Sequence, residues 1–454
     1  MNVRGFTLHP EQPAWGYWDD GLLDWVFDLH GASPPDLTDT DRNCVVVIPG
    51  RMNYDREAEI AARLAHLDRC TLIVTGDEEG RFSPVDAAPA ATAWWVQTPH
   101  VLPDRGRFLP LGAPPHPSPV GRVEREFNWC FAGQVTHDRR RACVDAAQAV
   151  PGGLLVASDR FAAGLPPQAY LDLLRRSRLA PCPSGPVHVE TFRLYEALEA
   201  GCIPICDTRT PNGKLWYAWW AEHMADRPFP LVSEWAELPD IAPGLLDGWQ
   251  ARANRCTAWW KNRKLDLCRD LATDAGQEPG TVTVVMTMSP IPSHPSLDVL
   301  AETVTSILEW GPTGTEIIIA CDGARPGDDD AAYQEAIAAL CHRALWDRDW
   351  RRVRVVLADG WIHQANLLRL ALEQVTTPLV VFSEHDTPLC GPVPWDDLGK
   401  VIVAGDANMI RLAHEASVHP EHRHLMIGDG PTEVGGVPLW RTMQYSARPH
   451  LASA

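Results

Sequence analysis

The sequence predicts an α/β protein: two Rossmann-like units followed by a further α/β domain. Two observations carry this. Short apolar runs of strand character alternate with helical stretches, at a spacing that suits parallel strands joined by crossover helices. The same pattern restarts at Gly280, after a helical region that ends near Leu271. The composition agrees, with 45% hydrophobic and 22% charged residues over 454 positions, enough for several cores.

The first unit spans 1–115. Its opening is Pro- and Asp-rich, with an apolar and aromatic cluster from Trp15 to Leu29 that reads as a short helix or lid. Asn43–Gly50 is a buried strand closing on a Pro-Gly turn, Asp55–Leu67 a helix, and Cys70–Gly76 a second strand. Ala93–Gln97 and Arg107–Leu111 read as two more strands. No Gly-x-Gly-x-x-Gly follows the first strand, which argues against a dinucleotide cofactor, and so against an epimerase or dehydrogenase.

The second unit spans 116–275 and is entered through a Pro-rich link, 113–126. Phe127–Gly133 is a buried strand ending in a glycine turn, followed by His137, Asp138 and the arginines Arg139, Arg140 and Arg141. A strand feeding a Gly turn and a basic helix start is a phosphate-cradle geometry; a solvated basic helix end is the plainer alternative. Leu154–Ala157 and Arg178–Pro183 read as strands, with a helix Pro167–Ser177 between them that turns Tyr170, Leu173 and Leu174 inward. A loop with Ser184 and Gly185 then leads into a helix from Phe192 to Ala200, with Thr191 placed as N-cap and Gly201 where a left-handed residue is wanted. Cys202–Cys206, with Pro204 inside, suits a strand near a sheet edge.

A small-residue loop at a helix start docks anions. Arg193 lies in the first turn, where a cation opposes the helix dipole, and brings a planar donor that fits a phosphate. Glu196, one turn on, has the reach to accept two ribose hydroxyls. Phosphate, cation and carboxylate in that order describe a nucleotide-diphosphate site. Mutual ion pairing of Arg193, Glu196 and Glu199 on a surface helix is the alternative. Trp216–Trp220 and the helices up to Leu271 are expected to return and brace the first unit.

The third domain spans 280–454. Val282–Met288, Glu316–Asp322, Val353–Leu357 and Pro378–Ser383 read as strands; Leu297–Glu309, Ala331–Trp346 and Gln364–Gln374 read as helices. The segment 289–296 between the first strand and helix reads as a turn. The last strand runs into Glu384-His385-Asp386. Acids at strand ends are what a metal–nucleotide site needs, so Asp386, with Glu384 beside it, is a candidate cation ligand, and Asp322 closes a parallel strand. Further on, the chain offers His414, Glu415, Asp429 and Glu433. No closing helix follows, so this domain is expected to be truncated or completed by another chain.

A net charge of −19 argues against a duplex nucleic-acid clamp. The N-terminus shows no apolar signal region and no run reaches membrane-span length, so no membrane span is expected. Twelve scattered cysteines without a CxxC pair suggest reduced thiols in a cytoplasmic protein. The 19 tryptophans suit both core packing and stacking on sugars or bases.

The run RLYEALEAGCIP at 193–204, behind a PSG loop, resembles the nucleotide-binding half of GT-B glycosyltransferases, most of all the exostosin-like group. The resemblance implies that Glu196 is the ribose ligand and Arg193 a diphosphate contact. It also implies that Gly133 lets the diphosphate approach and that Arg139 or Arg140 contacts it. Many GT-B enzymes carry another Glu eight residues before the ribose Glu; here that position is His188, and Glu190 is the nearest acid. His137 and His188 are, by type and position, the candidate general bases. The third domain is similar to the nucleotide-binding part of family 2 GT-A glycosyltransferases, with Glu384-His385-Asp386 standing where that family has D-x-D. This resemblance makes His414, Glu415, Asp429 and Glu433 candidates for a general base.

Together these imply two Rossmann-like units forming a GT-B-type module, followed by a GT-A-like α/β nucleotide-binding domain. Such a chain would move a sugar from a nucleotide-sugar donor to a glycan, protein or other hydroxyl acceptor. The first module would need no cofactor, and the second a divalent cation, manganese or magnesium. An inactive carbohydrate- or nucleotide-binding scaffold, above all for 280–454, is the alternative of another class.

Overall fold

The computed structural model describes residues 5–7, 20–27, 37–50, 54–89, 91–99, 102, 104–114, 123–159, 164–277, 280–290, 297–327, 330–412, 426–442 and 450–454. The chain is α/β throughout and divides into two compact units, Met1–Glu278 and Pro279–Ala454.

The first unit holds two sheets. One consists of β1 (Gly5–Thr7), β2 (Asn43–Pro49), β3 (Arg69–Thr75), β4 (Ala93–Gln97) and β5 (Gly106–Leu109), paired in chain order and all parallel. Val and Ile fill β2 and β3 continuously because both faces are covered. Cys44, Val46, Ile48, Leu72 and Val74 pack with Ile60 and Leu64 of α2 (Glu57–Leu64) on one of them. That helix begins two residues later than the sequence suggests, since Asp55 has φ +64, a left-handed turn that a helix does not contain. From the expected Trp15–Leu29 cluster, Asp20–Phe27 forms α1, and the remainder lies outside the described residues. A short helix, α3 (Pro84–Ala87), was not anticipated.

The other sheet consists of β6 (Phe127–Gln134), β7 (Gly153–Ser158), β8 (Ser177–Cys182), β9 (Ile203–Asp207) and β10 (Leu231–Val232), all parallel, in the order β10-β9-β8-β6-β7. Its helices are α4 (Asp138–Gln148), α5 (Pro167–Arg175), α6 (Phe192–Glu199), α7 (Tyr217–His223), α8 (Leu238–Leu246) and α9 (Trp249–Asp274). From β6 the chain steps outward to β7, then returns across β6 to β8 and beyond. The connections leaving β6 and β8 therefore diverge, and a crevice opens at their carboxyl ends. Pro204 is tolerated in β9 because its nitrogen points to the β10 side, where pairing begins only at Cys206.

The 26-residue α9 returns to the first sheet. The Trp95 indole donates to Asp274 Oδ2 at 2.9 Å, Arg69 Nε to the Asp274 carbonyl at 2.9 Å, and Arg107 pairs with the same carboxylate at 3.2 Å. Phe108 of β5 also meets Trp219 edge-on, with centroids 5.2 Å apart.

The second unit has one six-stranded sheet. β11 (Val282–Met288), β12 (Glu316–Cys321), β13 (Val353–Leu357) and β14 (Leu379–Glu384) are parallel in the order β13-β12-β11-β14. They are linked by α10 (Asp298–Trp310), α11 (Ala331–Trp346) and α12 (His363–Leu372); α13 (Trp395–Val403) follows β14. Beyond α13 come β15 (Met409–Arg411), the hairpin β16 (Met426–Val434) and β17 (Val437–Thr442), and β18 (His450–Ser453). The sequence suggests a domain without a closing element, truncated or completed by another chain; in the structure β18 runs antiparallel between β14 and β15, with Leu451 fully buried. Four residues are too few for a periodic signal, so this strand was not legible. The segment 291–296 and most of the Pro-rich link lie outside the described residues.

Gly201 ends α6 at φ +71, and a Cβ there would stand 2.8 Å from Arg125 Nη2. That guanidinium gathers the carbonyls of Ala200, Gly201, Leu174 and Ser177. Gly201→Ala should therefore cost about 1–2 kcal/mol through backbone strain and a displaced Arg125. A lowered urea midpoint of the first unit checks this, and an unchanged one would count against it.

Candidate functional site

The crevice between the ends of β6 and β8 gathers most of the residues singled out from sequence. At its floor, Arg193 extends from the first turn of α6 beneath the end of β6. Its Nη2 donates to the Ala132 carbonyl at 2.9 Å, its Nε to the Tyr170 hydroxyl at 3.3 Å, and the guanidinium lies 4.5 Å above the Phe131 ring. Gly133, at φ +148, leaves this space open, since a Cβ would fall 2.3 Å from Arg193 Nη2. The glycine therefore accommodates an arginine of its own chain, a reason different from the one expected. Tyr170, read from sequence as an apolar helix position, supplies a hydroxyl to the site; only its polar tip could have signalled this.

The three-arginine run divides by environment. Arg139 is committed: Nε and Nη2 grip the fully buried Asp207 at 3.1 and 2.5 Å, while Nη1 reaches Glu234 at 2.9 Å and Nη2 the Ser233 carbonyl at 2.8 Å. Asp207 also accepts from the Trp235 indole at 3.0 Å. These bonds occupy the donors with which Arg139 was expected to meet a diphosphate. Arg140 is different. It is 8% exposed, makes one long bond to the Gln134 carbonyl at 3.3 Å, and its buried Nε has no partner among the described residues. Burial first, then the neighbouring charge of Arg193, pushes its pKa down to about 10.

His137 caps α4, its Nδ1 accepting from the Arg140 amide at 3.4 Å. Burial and Arg140 lower its pKa against the pull of the Ser184 backbone, so the ring is neutral near pH 7. An accepting Nδ1 places the proton on Nε2, whose buried atom makes no hydrogen bond of good geometry among the described residues. His188 has the same tautomer, because Nδ1 accepts from the Glu190 amide at 3.0 Å; its ring is packed against Trp216 and Trp219. Both histidines thus present N–H donors and do not suit the general-base role expected of them.

Across the crevice, Ser184 is fully buried with an Oγ unpartnered among the described residues, and the Gly185 amide closes the loop on the His188 carbonyl at 2.9 Å. Thr191 takes the N-cap position of α6, but its side chain makes no capping bond and its buried Oγ1 also lacks a partner among the described residues. Glu190 is turned away from the crevice, accepting from the Leu111 amide at 3.0 Å and from the Tyr195 hydroxyl. The suggested triad does not lie on a surface helix: Glu199 pairs with Lys264 and the Trp260 indole, while Glu196 is buried within the field of Arg193. Glu196 is 9% exposed, and burial raises its pKa to about 7 despite Arg193.

In the second unit the predicted residues stand apart in role. Asp322 is buried and its carboxylate is taken by backbone amides, from Gly323 and Ile362 to Oδ1 at 3.0 and 2.8 Å and from His363 to Oδ2 at 3.1 Å. It holds the start of α12, which leaves little of it for a donor. Glu384 accepts from Gln364 at 3.4 Å, and Asp386 is exposed on the turn that follows β14. Among the described residues no group of three or more His, Cys, Asp and Glu is placed to hold a metal ion. Asp429 and Glu433 are exposed on the β16–β17 hairpin, and His414 and Glu415 lie outside the described residues.

Residues 165–271, from just ahead of α5 to near the end of α9, match the family described as the RXYLT1 C-terminal domain. No curated protein matches the chain. Among solved structures, residues 1–349 of TarS from S. aureus align at 13% identity over 29% of this chain and 35% of that one, with a TM-score of 0.22. The mannosyltransferase PcManGT from Pyrobaculum calidifontis, solved with GDP-Man and Mn2+, aligns at 15% identity over 37% of this chain and 47% of that one, with a TM-score of 0.23. The chain thus spans roughly a third to a half of those proteins, and TM-scores this low carry no argument about it.

The raised Glu196 pKa has a definite sign. Below the ordinary glutamate value of 4.5 both folded and unfolded states hold the proton; between 4.5 and about 7 only the folded state does. Stability should therefore fall as pH rises through that window and level off above it, by on the order of 3 kcal/mol. Urea midpoints of the first unit at pH 4.5–7.5 should show this slope in the wild type and lose it in Glu196→Gln.

Proposed function

We propose that the first unit is a glycosyltransferase of GT-B type that holds the diphosphate of a nucleotide-sugar donor in the crevice between β6 and β8. The observation that carries this reading is Arg140, a buried cation with no carboxylate partner among the described residues, beside a second cation, Arg193. Burying such a pair is costly unless an anion compensates it. Nearby stand the Ser184 Oγ and the Thr191 Oγ1, unpartnered among the described residues, and the His137 Nε2–H, which faces the Ser184 backbone without a hydrogen bond of good geometry. Each orphaned polar group costs about 1–3 kcal/mol, which an oxygen-rich ligand would recover. The match of residues 165–271 to a xylosyltransferase family supports sugar transfer for this segment.

In this mechanism Arg140 is the direct phosphate ligand, with His137 and Ser184 as neutral donors. Their positive field stabilises the negative charge that develops on the departing diphosphate, which lowers the barrier to glycosyl transfer without a metal. Arg193 underlies the same field from beneath Gly133. Glu196 meets the ribose hydroxyls, and it does so most strongly when ionised. The acceptor is a glycan, protein or other hydroxyl compound. The twelve cysteines, all free, accord with a cytoplasmic setting, and no helix among the described residues is long and apolar enough to cross a membrane.

The second unit, on this reading, is a GT-A-like domain whose divalent cation would be held by Asp386 and Glu384 and completed by donor phosphate oxygens, since no third ligand is grouped with them among the described residues. A bound manganese or magnesium would supply Lewis-acid stabilisation of the leaving group. A second reading, a nucleotide- or carbohydrate-binding scaffold without catalysis, is favoured for this unit alone by the engagement of Asp322 with backbone amides.

Calorimetric titration of UDP and GDP, with manganese and with chelator, tests the assignment. Binding in chelator should be present in the wild type and weakened roughly 10- to 100-fold in Arg140→Met, as for loss of hydrogen bonds to a charged group. Glu196→Ala should weaken UDP or GDP but not inorganic pyrophosphate. Binding that requires manganese and survives both variants would place the working site at Asp386. Release of nucleoside diphosphate from donor without acceptor separates an enzyme from a scaffold.

A further inference from the structure

Glu190 makes a connection that the reading above does not use. Its Oε1 accepts from the amide of Leu111, 79 residues earlier and just past the end of β5, at 3.0 Å. The same oxygen accepts from the Tyr195 hydroxyl on α6. Its own amide donates to His188 Nδ1 at 3.0 Å, and the His188 carbonyl accepts from Gly185 at 2.9 Å, next to Ser184. A second contact runs parallel to this chain of bonds: His188 packs on Trp219, which meets Phe108 of β5. Glu190 is 3% exposed, so each of these bonds is made out of water, where breaking one leaves an amide or hydroxyl unpaired.

We propose that Glu190 is a positioning residue which couples the loop carrying Ser184 to the first sheet, so that the anion pocket of the second sheet is held in place by the first. The acid nearest to the position where many GT-B enzymes carry a second glutamate thus acts at a distance from the donor. The consequence is a link between the two sheets: an acceptor bound at the carboxyl end of the first sheet would alter donor affinity through Leu111. The inference about donor affinity rests on the nucleotide-diphosphate reading of the pocket, whereas the bond to Leu111 is tested independently of it.

The role needs an acceptor oxygen and no charge, and a glutamine amide oxygen meets that need. In the full chain, Glu190→Gln should keep the Leu111 amide protected from hydrogen exchange and keep affinity for UDP or GDP within about twofold of wild type. Glu190→Ala should lose the protection and weaken the same nucleotide about tenfold, equivalent to about 1.4 kcal/mol. If Glu190→Gln weakens binding as severely as alanine while Leu111 stays protected, the carboxylate is a ligand and the proposal is wrong. If the wild type binds neither nucleotide, the pocket reading fails on its own, and unchanged Leu111 exchange in Glu190→Ala would still overturn the coupling. Should the alanine variant not fold, the glutamine variant alone decides.

Discussion

The guanidinium of Arg193, lodged under the last residues of β6, is the constraint on which the crevice depends. It occupies the space a side chain at position 133 would need, bonds a strand carbonyl, and rests on Phe131. Because it starts from α6, it joins the element after β8 to the end of β6. Those two strands are the ones whose connections diverge, so a single side chain spans the base of the topological switch.

Charge in this region is distributed by pairing. Arg139 and Asp207 neutralise one another with an indole and a carbonyl completing the set, which makes the end of β9 rigid and electrically quiet. Arg140, one residue on, meets no acid among the described residues. Adjacent residues of the same type thus do opposite things, because a helix turns each residue by about 100° from the last. The two histidines follow a similar logic: a backbone amide donated to Nδ1 decides what the far side of each ring can offer.

Much of this was legible beforehand. The β2, β3, β6, β11 and β12 strands are continuous apolar runs because parallel sheets bury both faces, and such runs stand out in any sequence. The stretch around 181–207 announced loop, helix, left-handed glycine and strand, and each is found there, though Thr191 caps by position and not by a bond. What was not legible depended on long-range partners. Nothing local tells that Asp207 claims Arg139, that Leu111 claims Glu190, or that α12 claims Asp322. Acids at strand ends look alike in sequence whether they face a ligand or a neighbouring amide. Short terminal strands escape for another reason: β18 has too few residues to show a period and takes its place only because β14 and β15 lack other partners there.

That last strand has a bearing on how the second unit is made in a cell. β15 meets the sheet only through β18, and β14 keeps an open edge until residues 450–453 have been synthesised. During translation the apolar β14 would therefore wait, with unpaired amides and carbonyls, for a segment produced some seventy residues later. An exposed edge of this kind recruits strands from other nascent chains. Chaperone demand on the ribosome, and sensitivity of expression to small changes within 450–453, are built into the order in which this sheet is assembled.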